Sequence, residues 1–224
     1  MKPSVLTLAI FGSQVRGDAD PLSDLDVLII TDSGKPDTAD IEKYFKDEYK
    51  QNSDISIYSF SRLKEMYGHG HLFAWHLFQE SKFIPYKNTK NLIGELGKPN
   101  LYNDAHQDIS ELIGLLNSIE TELKFGVNSV YEAGLLYVCL RNIALSASWY
   151  SESGLKFGRY SPFQLGNKMP TLRIKVDEYE LLAMCRYATT RGALTPKVDN
   201  TFVLNHLKFG RDWAIEIQNL IGKT

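Results

Sequence analysis

The chain opens on an apolar run, Val5 to Phe11 (VLTLAIF), rich in strand formers and too short for an independent helix. It stops at Gly12-Ser13. A polar, turn-rich stretch (QVRGDADPLSD) leads to a second apolar run, Leu25 to Ile30, and Thr31 to Pro36 reads as a loop. From Thr38 to Lys50, charged residues flank Ile41, Tyr44, Phe45 and Tyr49 at helical spacing, with Thr38 or Asp40 as cap. Asp54 to Phe60 (DISIYSF) alternates apolar and polar positions, the pattern of a half-buried strand. Helical spacing returns at Ser61 to Tyr67 and at His71 to Glu80, and Phe83 to Tyr86 reads as a short last strand. Strand, turn, strand, helix, strand, helix makes an α/β unit with a small mixed sheet over residues 1–90.

The character changes at Lys87 to Asn103, where Asn, Gly, Lys and Pro99 accumulate. Residues 91–103 are therefore expected to be a linker. Beyond it, Ile109, Leu112, Ile113, Leu116, Ile119 and Leu123 recur at three- and four-residue steps. Val130 to Trp149 reads as a strongly apolar helix, and two more follow near Asp177 to Thr190 and Phe202 to Ile221. An irregular segment, Ser151 to Pro170, rich in Gly, Pro and basic residues, separates them. Residues 104–224 are thus expected to form an all-α bundle of four or five helices.

Composition narrows this picture only slightly. With 43% hydrophobic and 23% charged positions in 224 residues, the chain has the material for real cores. A formal net charge of −2 argues against a broad basic surface that would coat nucleic acid. Cys139 and Cys185 both sit in apolar helical patterns and read as buried free thiols. The chain goes from Met1-Lys2-Pro3 straight into a strand-like run without a signal-peptide pattern. No apolar run approaches the ~18 residues that span a bilayer, so no membrane insertion is expected and the expected location is cytoplasmic.

The chemistry concentrates in three places. Gly12-Ser13 closes one strand, ten residues intervene, and Asp24-Leu25-Asp26 opens the next. A nucleoside triphosphate is a polyanion that needs a cradle of backbone N–H groups. Gly12 permits close backbone approach, Ser13 adds a hydroxyl donor, and Arg16 is a candidate phosphate contact. Asp24 and Asp26 stand two apart on a strand and face one side. Two adjacent carboxylates do not both stay ionised without cations, and two Mg²⁺ ions (Mn²⁺ as substitute) resolve that conflict. Asp54, opening the Ile55/Ile57 strand, supplies a third carboxylate for metal and acceptor hydroxyl.

These residues resemble a family. Gly12-Ser13, Arg16-Gly17 and Ser23-Asp24-Leu25-Asp26-Val27-Leu28-Ile29 are similar to the minimal nucleotidyltransferases of the DNA polymerase β superfamily, and Asp54-Ile55-Ser56-Ile57 to their third-carboxylate strand. Phe73 to Tyr86 resembles the helix and strand that end their catalytic domain. The resemblance implies transfer of a nucleoside monophosphate from ATP or dATP to a hydroxyl acceptor, with release of pyrophosphate. It departs at the start, where the family commonly has a helix before its first strand.

The helical region resembles two kinds of partner domain: that of kanamycin-type aminoglycoside nucleotidyltransferases, and the HEPN-like domain of toxin–antitoxin and defence systems. The resemblance implies one of two acceptors: a protein (self-modification and a cognate toxin or effector included) or growing oligonucleotide, or alternatively an aminoglycoside. A non-catalytic nucleotide-binding module is the third alternative. Arg141-Asn142 lacks the histidine that HEPN ribonucleases carry shortly after their arginine, so RNase chemistry is not expected. Arg159 is a candidate γ-phosphate contact, Tyr160 a candidate stacking or acceptor group, and Glu132 a candidate acceptor-side base. Tyr131, Tyr150, Tyr160 and Tyr187 are candidates for a self-labelled hydroxyl. His69-Gly70-His71 with His76 lacks a Cys or acidic partner at ligand spacing and reads as packed or helix-terminal rather than zinc-binding. The oligomeric state is left open.

Overall fold

The computed structural model describes residues 3–20, 23–50, 53–126 and 128–222. Pro21 and Leu22, within the expected turn-rich stretch, lie outside the described residues. The chain divides into two compact units, residues 1–103 and 104–224.

In the first unit, β1 (Val5–Phe11), β2 (Leu25–Thr31), β3 (Ser53–Ser59) and β4 (Ser81–Phe83) form one sheet in the order β3-β2-β1-β4. β1 is antiparallel to β2 and β4, and β2 is parallel to β3, so the sheet is mixed. β1 and β2 are central and apolar on both faces, which explains their unbroken runs. On one face Ala9, Phe11, Leu28 and Ile30 pack with Leu63, Met66 and Tyr67 of α3 (Phe60–Gly68) and Ala74 and Leu77 of α4 (Leu72–Glu80). On the other, Leu8, Ile10, Leu25, Val27 and Ile29 pack with Ile41 and Phe45 of α2 (Ala39–Tyr49). A single turn, α1 (Ser13–Arg16), follows β1.

Two boundaries differ from the sequence reading. The last strand is Ser81–Phe83, paired with Ala9, Ile10 and Phe11, rather than 83–86. The apolar residues after Phe83 misplaced it: Ile84 is buried against the α2 face and its N–H still reaches Leu8 O at 2.8 Å, but the ladder has ended. Residues 91–103, expected as a linker, are packed into the first unit. Asn91 caps α5 (Leu92–Leu96), Leu92 and Ile93 enter the α3/α4 core, and Trp75 Nε1 donates to Asn100 O at 2.9 Å.

The second unit holds four long helices among the described residues: α6 (Ala105–Lys124), α7 (Ser129–Ser148), α8 (Val176–Arg191) and α9 (Asn200–Ile221). α7 is central and packs on the other three. Gly134 lets the backbone of α8 approach, since a Cβ there would stand 2.9 Å from Arg186 Cα, and Gly210 on α9 makes room for Leu140. Cys139 and Cys185 are buried and free, and burial pushes the Cys139 thiol up to about 12 and that of Cys185 to about 11. No described helix is long and apolar enough to cross a membrane.

Candidate active site

The mixed sheet brings the three parts of the motif to one end. Asp26 is the register partner of Phe11 on antiparallel β1 and of Asp54 on parallel β3. Directly paired residues share a face. The face is that of Phe11, Leu28 and Tyr58, packed against α3 and α4. Gly12 follows Phe11 and therefore sits beside Asp26, so closely that a Cβ on Gly12 would lie 2.6 Å from Asp26 Oδ2. Asp24 immediately precedes β2, and both Asp24 and Asp26 are half-buried while Asp54 is exposed. As the side chains stand, no three His, Cys, Asp or Glu groups among the described residues converge on one ion position.

The turn after β1 leaves donors available. Gly12 adopts φ 73°, ψ −139°, a conformation close to glycine-only. Its N–H donates to Glu80 O, and Val15 and Arg16 N–H both turn back onto Gly12 O. The N–H groups of Ser13 and Gln14 make no hydrogen bond among the described residues. Arg16 is held by two carboxylates, with Nε on Asp18 at 3.1 and 3.2 Å and Nη1 on Glu80 Oε2 at 2.5 Å. Burial works against its charge, but the hydrogen bonds to Asp18 and Glu80 outweigh it and raise its pKa.

Residues 1–66 match the family model of the nucleotidyltransferase domain. The matched stretch holds Gly12, Ser13, Arg16, Asp24, Asp26 and Asp54 and ends inside α3. A nucleotidyltransferase is a transferase of phosphorus-containing groups, and the chain is an enzyme of that class. No curated protein matches the chain. Among solved structures, one similar chain is the spectinomycin adenyltransferase AAD(9) of Enterococcus faecialis, crystallised with ATP and spectinomycin. It has 12% identity and a TM-score of 0.49, over 94% of this chain and 92% of that one.

The other candidates lie in the second unit. Glu132, on the first turns of α7, is 3% exposed, and its Oε2 has no hydrogen-bond partner among the described residues. Burial, then the nearby Glu122, raises its pKa. Tyr160 donates its hydroxyl to Glu180 Oε1 at 2.6 Å, and the Arg159 guanidinium lies 5.1 Å from the ring centre of Tyr187. Tyr187 is 6% exposed, its ring also approached by Arg191 at 4.5 Å, so it packs rather than offering a hydroxyl. Tyr131 and Tyr150 are exposed. His69 Nδ1 pairs with Glu65 O, and His71 Nδ1 accepts the Phe73 N–H as a helix cap.

The sequence reading did not single out Glu80 or Asp18, and it named His76 only to set aside a zinc site for want of an acidic partner, overlooking Glu80. His76 and Glu80 stand four apart on α4, a readable helical pair, with His76 Nε2 3.0 Å from Glu80 Oε2. Nothing in the spacing points from Glu80 to Arg16, 64 positions away.

Proposed function

We propose that the chain moves a nucleoside monophosphate from a nucleoside triphosphate, ATP or dATP, to a hydroxyl acceptor and releases pyrophosphate. The observation that supports this most is the register that sets Asp26 opposite Asp54 with the Gly12-Ser13 turn against it. In the reaction proposed, the acceptor oxygen bonds to the α-phosphorus, the bond to the β-phosphate oxygen breaks, and pyrophosphate leaves. The N–H groups of Ser13 and Gln14 and the Ser13 hydroxyl take phosphate oxygens, and the Asp54 carboxylate accepts the proton of the attacking hydroxyl.

Asp24, Asp26 and Asp54 offer carboxylate oxygens alone, the donor set of a hard divalent ion such as Mg²⁺ or Mn²⁺. The lack of a Cβ at Gly12 suits that fit, because a Cβ there would stand 2.6 Å from Asp26 Oδ2 and push the carboxylate aside. Two such ions held by Asp24 and Asp26, one of them shared with Asp54, would neutralise the triphosphate and stabilise the attacking and leaving oxygens.

For the acceptor, our first reading is a protein hydroxyl, on this chain or on a cognate toxin or effector, in the defence setting that minimal nucleotidyltransferases suggest. A net charge of −2 offers little to recruit a long nucleic acid. A small polyhydroxylated amine, an aminoglycoside, uses the same chemistry. Purified chain is incubated with Mg²⁺ and each α-labelled triphosphate, alone and with aminoglycosides. Label retained on protein and lost in Asp24→Asn supports the first reading. Pyrophosphate release only on adding the aminoglycoside overturns it in favour of the second, and no release under any condition sinks both.

A further inference from the structure

Glu80 ends α4, outside the matched stretch, yet three contacts meet on it. Its main-chain carbonyl accepts the Gly12 N–H at 3.1 Å. Its Oε2 accepts from Arg16 Nη1 and lies 3.0 Å from His76 Nε2. The Glu80 and His76 side chains are each 14% exposed and that of Arg16 21%, so the cluster is partly shielded and its hydrogen bonds are stronger than they would be in open water. Asp18 takes the Nε edge of the same guanidinium. A planar fork with five donors is thus fixed along two edges, and its Nη2 makes no hydrogen bond among the described residues.

Two carboxylates on one arginine reduce the net charge it offers a triphosphate. What they add is orientation. We infer that Glu80 is a positioning residue for the nucleotide: it holds the Gly12–Arg16 turn at both ends, through its carbonyl on Gly12 and its carboxylate on Arg16. The Ser13 and Gln14 donors and the Nη2 edge of Arg16 are then set before a phosphate arrives. His76, edge-on to Phe11 at 5.4 Å, brings its Nε2 to 3.0 Å from the same carboxylate. The inference rests on the nucleotidyl-transfer reading, since it names how that site is prepared.

The test is a double-mutant cycle on the full chain, read by calorimetric titration with an α,β-methylene ATP analogue and Mg²⁺. Glu80→Gln keeps the side-chain length and the main-chain carbonyl and removes the charge. It is expected to weaken analogue binding about tenfold, the scale of one charge-assisted hydrogen bond. Arg16→Met is expected to weaken binding at least as much, and Glu80→Gln on top of Arg16→Met to add nothing, because Glu80 acts through Arg16. Losses that multiply in the double variant, or wild-type affinity in Glu80→Gln, overturn the inference. Should Glu80→Gln fail to fold, Glu80→Asp takes its place in the same cycle with the same criterion. Wild type that binds the analogue with Mg²⁺, loses it in Asp26→Asn and ignores Glu80→Gln leaves nucleotidyl transfer standing and removes only the role of Glu80. Wild type that binds no analogue removes both.

Discussion

Gly12→Ala separates the chemistry of the site from its stability. At φ 73°, ψ −139° an L side chain costs about 1–3 kcal/mol in backbone strain. For a chain of this length each kcal/mol moves the melting temperature by about 2–4 °C, so a fall of about 2–12 °C is expected. The added methyl also lands 2.6 Å from Asp26 Oδ2, and to regain ordinary contact at 3.4 Å the carboxylate has to withdraw by about 0.8 Å. That movement is cheap for the fold, because it is the far end of a side chain. It is expensive for the reaction, where a misplacement of about 1 Å costs about a hundredfold in rate. Gly17→Ala is the control: its φ is also positive, at 80°, but nothing lies within 4 Å of the new methyl. Thermal melts and Mg²⁺-dependent pyrophosphate release are measured on both variants, well below either melting temperature. Both should melt lower, and only Gly12→Ala should lose turnover, by about two orders of magnitude. Near-wild-type turnover in Gly12→Ala would falsify the placement of the reaction at Asp26, whatever the melt shows.

Three further outcomes are expected. Asp26→Asn should fold and release no pyrophosphate, whereas Asp54→Asn should lose turnover yet still bind nucleotide; a wild-type rate in Asp54→Asn would move the third carboxylate elsewhere. A triphosphate should raise the melting temperature only with Mg²⁺ or Mn²⁺ present, and an equal rise in EDTA counts against a metal site. Because burial and Glu122 raise the Glu132 pKa above its ordinary 4.5, its contribution to stability is complete below that value and is lost as pH rises through the raised one. Glu132→Gln should therefore stabilise the chain by about 1 kcal/mol at neutral pH and by nothing in acid, as read by denaturant melts at both pH values.

The motif was legible because its chemistry fixes residue types at short range. The glycine of the turn directly follows a strand, and two neighbouring carboxylates that share a face of one strand stand two apart. Val5–Phe11, Gly12-Ser13 and Asp24-Leu25-Asp26 could each be read from their own neighbours. Asp54 was read from strand alternation and from the resemblance of Asp54-Ile55-Ser56-Ile57 to the family's third-carboxylate strand, and what the sequence withheld was its register, since pairing with Asp26 is a relation between strands. Residues 91–103 misled for a related reason. Their composition is that of a linker, and their one helical turn buries just two residues, Leu92 and Ile93. Two apolar residues make no periodic signal, yet they suffice when a capping Asn91 starts a turn over an existing core.

The contacts proposed to hold the site ready obey a different rule. Arg16 can be steadied by any carboxylate whose backbone reaches it, and the fold supplies one from the end of α4, 64 positions on, because β4 pairs with β1 beside the turn. No spacing encodes that choice, so Glu80 looks like any glutamate closing an amphipathic helix. The same holds for Glu132: on an α7 apolar nearly all round, a single acid looks like a favourable partner of the helix N-terminus. Only the packing of α7 beneath its neighbours reveals it as a buried carboxyl with an unpaired oxygen. Residues proposed to touch the reacting atoms are therefore bound to local patterns. Residues that place them are bound only to the sheet order, and they become visible once β1 is seen to lie between β2 and β4.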